Sequence, residues 1–110
     1  MEASVEAGEV KVHQVDVAVD CGLAVNPDRI RSQMEGAVIF GLSLALLSEI
    51  TIENGAVVEG NFDGYRLART DINPEVHVHL VESDELPTGV GEPGVPPVAP
   101  ALCNAIFAAI

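Results

Sequence analysis

Aromatic side chains are scarce in this chain of 110 residues, which has three Phe, one Tyr and no Trp. Its core must therefore be filled by Val, Ile, Leu and Ala. Basic residues are also few: five Lys and Arg stand against 17 Asp and Glu, a net charge of −12 at pH 7. Such a surface repels phosphate backbones and anionic membranes, which excludes nucleic acid as a partner. Two cysteines, Cys21 and Cys103, do not make a disulfide framework. Cys103 lies in an apolar stretch and reads as a small buried hydrophobe. The longest apolar run, Gly36 to Leu47, is too short to cross a bilayer and contains Ser43. The opening Met1-Glu-Ala-Ser-Val-Glu6 is acidic and lacks the basic-then-apolar order of a secretory leader.

What is present is apolar. Hydrophobic residues make up 48% of the chain and the mean hydropathy is +0.32. The length accommodates one domain, residues 1–110. So small and apolar a unit either packs very well or is part of something larger. The stretch Val98 to Ile110 stops without a polar tail or closing Gly, which adds to the expectation of a piece of a longer protein.

Residues 1–9, with Glu2, Glu6 and Glu9, read as a solvated, disordered or appended lead-in. Val10 to Asp20 alternates with period two and many β-branched residues, which predicts a strand with His13, Val15, Val17 and Val19 on one face. Asn26-Pro27-Asp28 marks a helix start: Asn caps, Pro suits the first helical position, and Asp favours the positive end of the dipole. The helix is expected to reach about Ser48 and to be buried on nearly every side after Gly36. Gly36 and Gly41 each cost about 1 kcal/mol relative to Ala, so both suggest close approach by another element. Asn54-Gly55 between β-rich runs predicts a hairpin. Glu75 to Glu82 alternates as a further strand, Ser83 to Pro97 is a Pro- and Gly-rich loop, and Val98 to Ile110 is a second helix. The order strand-helix-hairpin-strand-loop-helix predicts an α+β fold with two helices packed on one face of a mostly antiparallel sheet.

Among polar residues, Glu92 stands out, in Gly89-Val90-Gly91-Glu92-Pro93-Gly94. Glycines let backbone approach a ligand, and Pro stiffens the loop. A carboxylate held there, just before a helix, is well placed as a general base; the plainer alternative is a solvent-facing Glu in a turn. His77 and His79 share a strand face roughly 7 Å apart, but two imidazoles fall short of the three or four ligands a metal needs. They read as ordinary half-exposed strand residues, as do Asp16 and Asp20. Arg29 and Arg31 read as surface or inter-subdomain ion-pair formers of little energetic weight. Gln33 reads most plainly as a solvent-facing helix former; it also lies between Ile30 and Met34 on the apolar side of the first helix, where a partly buried carboxamide would need a polar partner.

The stretch from Pro87-Thr-Gly-Val-Gly-Glu-Pro-Gly-Val-Pro-Pro97 to Ala109 resembles the C-terminal signature of the xanthine oxidase and aldehyde oxidoreductase family, the isoquinoline 1-oxidoreductase β-subunit branch in particular. Val19-Asp-Cys-Gly-Leu-Ala-Val-Asn-Pro27, Gln33-Met-Glu-Gly-Ala37 and Asn61-Phe-Asp-Gly-Tyr-Arg-Leu67 resemble three further segments of the same subunits, in the same order. The resemblance implies a C-terminal piece of a molybdenum-cofactor-binding large subunit. It also implies hydroxylation of carbon next to nitrogen, or aldehyde oxidation, with oxygen drawn from water. The glutamate matching Glu92 is then the general base toward a hydroxyl on the metal. The glutamine matching Gln33 bonds the cofactor, and backbone around Gly91 lies near the metal centre, with no protein ligand to the metal in this region. The implied cofactor is molybdopterin, in its cytosine dinucleotide form, with 2Fe-2S clusters on a partner subunit. The implied partners are the remainder of the molybdenum subunit, an iron–sulfur small subunit and a small N-heterocycle or aldehyde. The chain alone is expected to be inactive, to hold no cofactor and to self-associate through cut apolar surfaces. The alternative is a non-catalytic acidic α+β domain that mediates protein association.

Overall fold

A computed structural model describes residues 1–110. Strand β1 (Glu2–Glu6) turns into β2 (Glu9–Val19), and helix α1 (Pro27–Leu46) follows. A short hairpin, β3 (Ile52–Glu53) and β4 (Ala56–Val57), leads through a 3-10 turn at Thr70–Ile72 to β5 (Glu75–Leu80). Helix α2 (Val98–Ala109) closes the order. The three-stranded sheet runs β1-β2-β5, antiparallel in the first pairing and parallel in the second. The fold is α+β and mostly antiparallel, as expected. The parallel β2–β5 pairing was not foreseen; the connection through α1 makes it possible, since parallel neighbours need a long crossover.

Both helices lie on one face of the sheet. Val15 of β2 joins Val38 and Leu42 of α1 and Val98 and Leu102 of α2 in one buried cluster. Asn26 caps α1 by accepting the Arg29 N–H at 3.1 Å, with Pro27 in the first turn. Gly41 is where the helices meet: a Cβ there would lie 2.6 Å from Val98 Cβ. Ser43 is buried in the apolar run, donates to the Ile39 carbonyl at 3.0 Å and accepts the Ala68 N–H at 2.9 Å. Ser48 Oγ donates to the Arg66 carbonyl at 2.9 Å. These two serines tie the segment after the hairpin to the end of α1. The hairpin turns at Asn54 and Gly55, both at positive φ, as an Asn-Gly two-residue turn requires.

Several expectations change. Residues 2–6 form β1, joined to β2 through Ala7 and Gly8 at positive φ, so this stretch is not a disordered lead-in. Its glutamates face water while Ala3 and Val5 are half-buried. The alternation along β2 also breaks phase. Glu2 pairs with Gln14 and Ala3 with Val12, which leaves His13 as an extra residue. This bulge brings Val10 and Val12 to the same packed side as Val15 and Val17 and leaves His13 exposed. The second half of α1 is not buried all round, because Phe40 and Leu44 are exposed. Nothing in the chain approaches Gly36. Cys103 is exposed, and Cys21 is the buried cysteine.

Candidate functional site

The strand-to-helix junction, the first turns of α1 and the glycine-rich loop meet at one end of the molecule. Leu23 N–H donates to the Glu85 carbonyl and Thr88 N–H to the Cys21 carbonyl, each at 2.9 Å. Gly22 sits at φ +69 with the Glu85 carbonyl oxygen 2.8 Å from where a Cβ would be, so neither the conformation nor the space admits a side chain. Asp20 Oδ1 accepts the Gly22 N–H at 3.0 Å and holds this turn. A cleft of about 200 Å³ runs between Cys21, Asn26 and Arg29 on one side and Thr88 and Val90 on the other.

Further along, Gln33 Nε2 donates to the Gly91 carbonyl at 3.4 Å, across 58 positions of sequence. The residue is exposed rather than partly buried, and its polar partner is this loop. Glu92 follows directly and is exposed. Its carbonyl accepts the Val95 N–H at 3.0 Å, which closes a turn through Pro93 and Gly94. Gly94 is buried on α1, where a Cβ would lie 2.7 Å from Ala37 Cβ and 3.2 Å from Met34 Sδ. Gly89 and Gly91 differ. Neither has positive φ, and nothing lies within 4 Å of a Cβ at either position. The backbone N–H groups of Gly89, Val90, Gly91 and Glu92 donate to no acceptor in the chain. Neither backbone strain nor packing within this chain requires those two glycines, so they leave a bare, hydrogen-bonding stretch of backbone open beside Gln33 and Glu92.

The residue pattern of the molybdopterin cofactor-binding domain matches residues 1–74, from β1 through Gln33 to the start of β5. The chain belongs to this family. Over 103 residues, 94% of the chain, it is 40% identical to a membrane-bound aldehyde dehydrogenase [pyrroloquinoline-quinone] of Gluconacetobacter polyoxogenes. Over 96 residues, 87% of the chain, it is 41% identical to the isoquinoline 1-oxidoreductase subunit beta of Brevundimonas diminuta. The chain spans 13% and 12% of the lengths of these relatives. In fold it is similar to the CO dehydrogenase of Oligotropha carboxidovorans, with a TM-score of 0.81 and 24% identity over 93% of this chain and 13% of that one. Quinoline 2-oxidoreductase from Pseudomonas putida 86 gives 0.72 and 23% over 90% and 13%. The molybdopterin domain thus has the architecture of a segment within much longer oxidoreductase subunits.

Two other polar groupings lie apart from the loop. On the solvent face of β2 and β5, Asp16 Oδ1 lies 3.5 Å from His77 Nδ1 and 3.4 Å from His79 Nε2. His77 Nε2 also meets Glu75 at 2.8 Å, and Gln14 donates to Asp16 at 2.9 Å. The Glu75 hydrogen bond, aided by Asp16, raises the His77 pKa, while Gln14 and His79 lower that of Asp16. No three His, Cys, Asp or Glu side chains converge as a metal-binding group anywhere in the chain. A cleft of about 470 Å³ lies beside Tyr65. Asp63 and Asp71 share its lining with Arg66 and Arg69, so no net charge selects a ligand there. Arg29 and Arg31 make no ion pair with an acidic side chain; Arg31 donates to the Val78 carbonyl of β5 and ties α1 to that edge strand. Sequence reasoning missed Met34, Ala37 and Gly94 as the floor under the loop. The small residues at 37, 41 and 94 were the available signal.

Proposed function

We propose that this chain is the C-terminal subdomain of a molybdenum hydroxylase, with Glu92 as the general base and Gln33 and the Gly89–Gly91 backbone as cofactor contacts. The observation that carries the reading is the Gln33–Gly91 hydrogen bond, which joins two motifs far apart in sequence and sets Glu92 beside both. The residues fit a molybdopterin. Four unpaired backbone N–H groups on glycine-bearing chain offer donors to its oxygen atoms, and nothing in the chain crowds them. When bound, the molybdenum centre would supply the two-electron oxidising power and activate oxygen drawn from water. Glu92 Oε would accept the proton from that oxygen, and the Pro93 turn would fix the backbone from which the carboxylate projects. Gln33 would keep its carboxamide fixed by giving one N–H to Gly91, leaving its other N–H and its oxygen for the cofactor.

The names of the two relatives, an aldehyde dehydrogenase and an isoquinoline oxidoreductase, support an aldehyde or N-heterocycle as the substrate class. The first of these names carries a quinone cofactor, whereas the family match is to molybdopterin, and the proposal follows the family. The cytosine dinucleotide form, 2Fe-2S clusters on a small subunit as the electron exit, and the remainder of the large subunit as partner belong to the same proposal. In the full-length subunit, Glu92→Gln is expected to lower turnover about 100- to 10,000-fold, the range for a positioned acid–base group, with molybdenum content unchanged. Steady-state kinetics with metal analysis tests this, and an active Gln variant removes Glu92 from the mechanism.

A further inference from the structure

The loop and the start of α2 climb α1 in matched steps. Gly91 meets Gln33, Gly94 sits on Met34 and Ala37, and Val98 sits on Gly41. On the helix these positions are about four residues apart, one turn each. Two of the three steps are notches with no spare room: Gly94 against Ala37 from the loop side, and Gly41 against Val98 from the helix side, where an added Cβ would lie 2.7 and 2.6 Å from its neighbour. Glu92 stands between the first and second steps and is joined to the second by the turn hydrogen bond to Val95. Its height above α1, and its distance from Gln33, are therefore set by how deeply Gly94 seats.

We propose that Gly94 is the positioning residue for Glu92, and that the Gly94–Ala37 contact fixes the register between the carboxylate and Gln33. This rests on the reading of Glu92 as the base. A methyl group at 94 lifts the turn off α1, because Ala37 Cβ, 2.7 Å away, is fixed to a helix backbone and cannot give way, while the Met34 thioether at 3.2 Å needs to shift only a few tenths of an ångström. The lifted turn carries Glu92 with it and strains the Gln33–Gly91 bond. Misplacing a reacting group by about 1 Å costs up to roughly 100-fold in rate.

The test uses the full-length molybdenum subunit with its partner and an aldehyde or N-heterocycle that it turns over. Gly94→Ala is expected to lower kcat per bound molybdenum by about 10- to 100-fold, with KM and molybdenum content close to those of the parent. The exchange Gly94→Ala with Ala37→Gly returns the methyl volume to the opposite side of the contact and is expected to restore most of kcat. A loss explained wholly by lower molybdenum content or lower Tm, or a loss the exchange does not rescue, overturns the positioning role. Glu92→Gln, measured in parallel, separates the two ideas. A fully active Gln variant overturns the reading of Glu92 and the positioning role with it. An inactive Gln variant beside an unimpaired Gly94→Ala overturns the positioning role alone.

Discussion

His77 shows how a single exposed residue can be tuned by its strand. It stands beside Glu75 two positions earlier on its own strand and faces Asp16 across the parallel pair. Its pKa is raised above the ordinary 6.5. Its stabilising contribution is therefore complete below 6.5 and is lost as pH rises through the raised value. Asp16 has its pKa lowered from 3.8. Its contribution is present above 3.8 and is lost as pH falls through the lowered value. The cluster thus favours the folded sheet most between those two pH values, and weakly, since all its members meet water. An NMR titration of the His77 ring should give a pKa above 6.5. Glu75→Gln should bring it down more than Asp16→Asn, because the Glu75 hydrogen bond is the leading cause. Equal or reversed effects would contradict that order.

Among the elements, α1 organises the rest, and Ser43 is the polar point of its buried side. Replacing it by Ala leaves the part-buried Ala68 N–H without its partner, at a cost of about 1 kcal/mol, the low end for an unsatisfied donor. Urea unfolding of Ser43→Ala should show a lower midpoint with an unchanged slope, and an unaltered midpoint would show that water replaces the hydroxyl. Much of this helix was legible in the sequence. The Asn26-Pro27-Asp28 start, the Ile30, Met34, Ala37 and Val38 stripe and the need for room at Gly41 are local signals, and all are present in the structure. The Asn54-Gly55 hairpin was legible for the same reason. The β2 bulge was not, because alternation counted from one end carries no mark of an extra residue. Strand β1 was hidden behind its glutamates, which occupy the solvent positions of an otherwise half-buried strand. Of the proposed site, Gln33, Gly91 and Glu92 could be named from motifs. Their meeting depends on the loop packing against α1 through Gly94, a contact between residues 34 or 37 and 94 that no short window of sequence contains.

For the whole molecule, shape and burial agree with a segment made for a larger body. Only 14 of 110 residues are buried. The radius of gyration is 16.2 Å, against about 13 Å for an independent domain of this length. Phe62, Leu86, Phe107 and Ile110 are each more than three-quarters exposed. The chain by itself is expected to retain no molybdenum and to elute from size-exclusion chromatography as a self-associated species. Stoichiometric metal in the purified chain would contradict the first expectation, and a monodisperse monomer the second. The parallel pairing of β2 with β5 adds a constraint in time. Gln14 waits for Glu75, 61 positions later, and at about 5 to 20 residues per second of synthesis that delay is roughly 3 to 12 s. Within this chain, β2 can meanwhile pair with β1 and pack on the newly made α1, and the strand that completes the sheet leaves the ribosome shortly before the Glu92 loop, so the sheet and the proposed site are finished almost together.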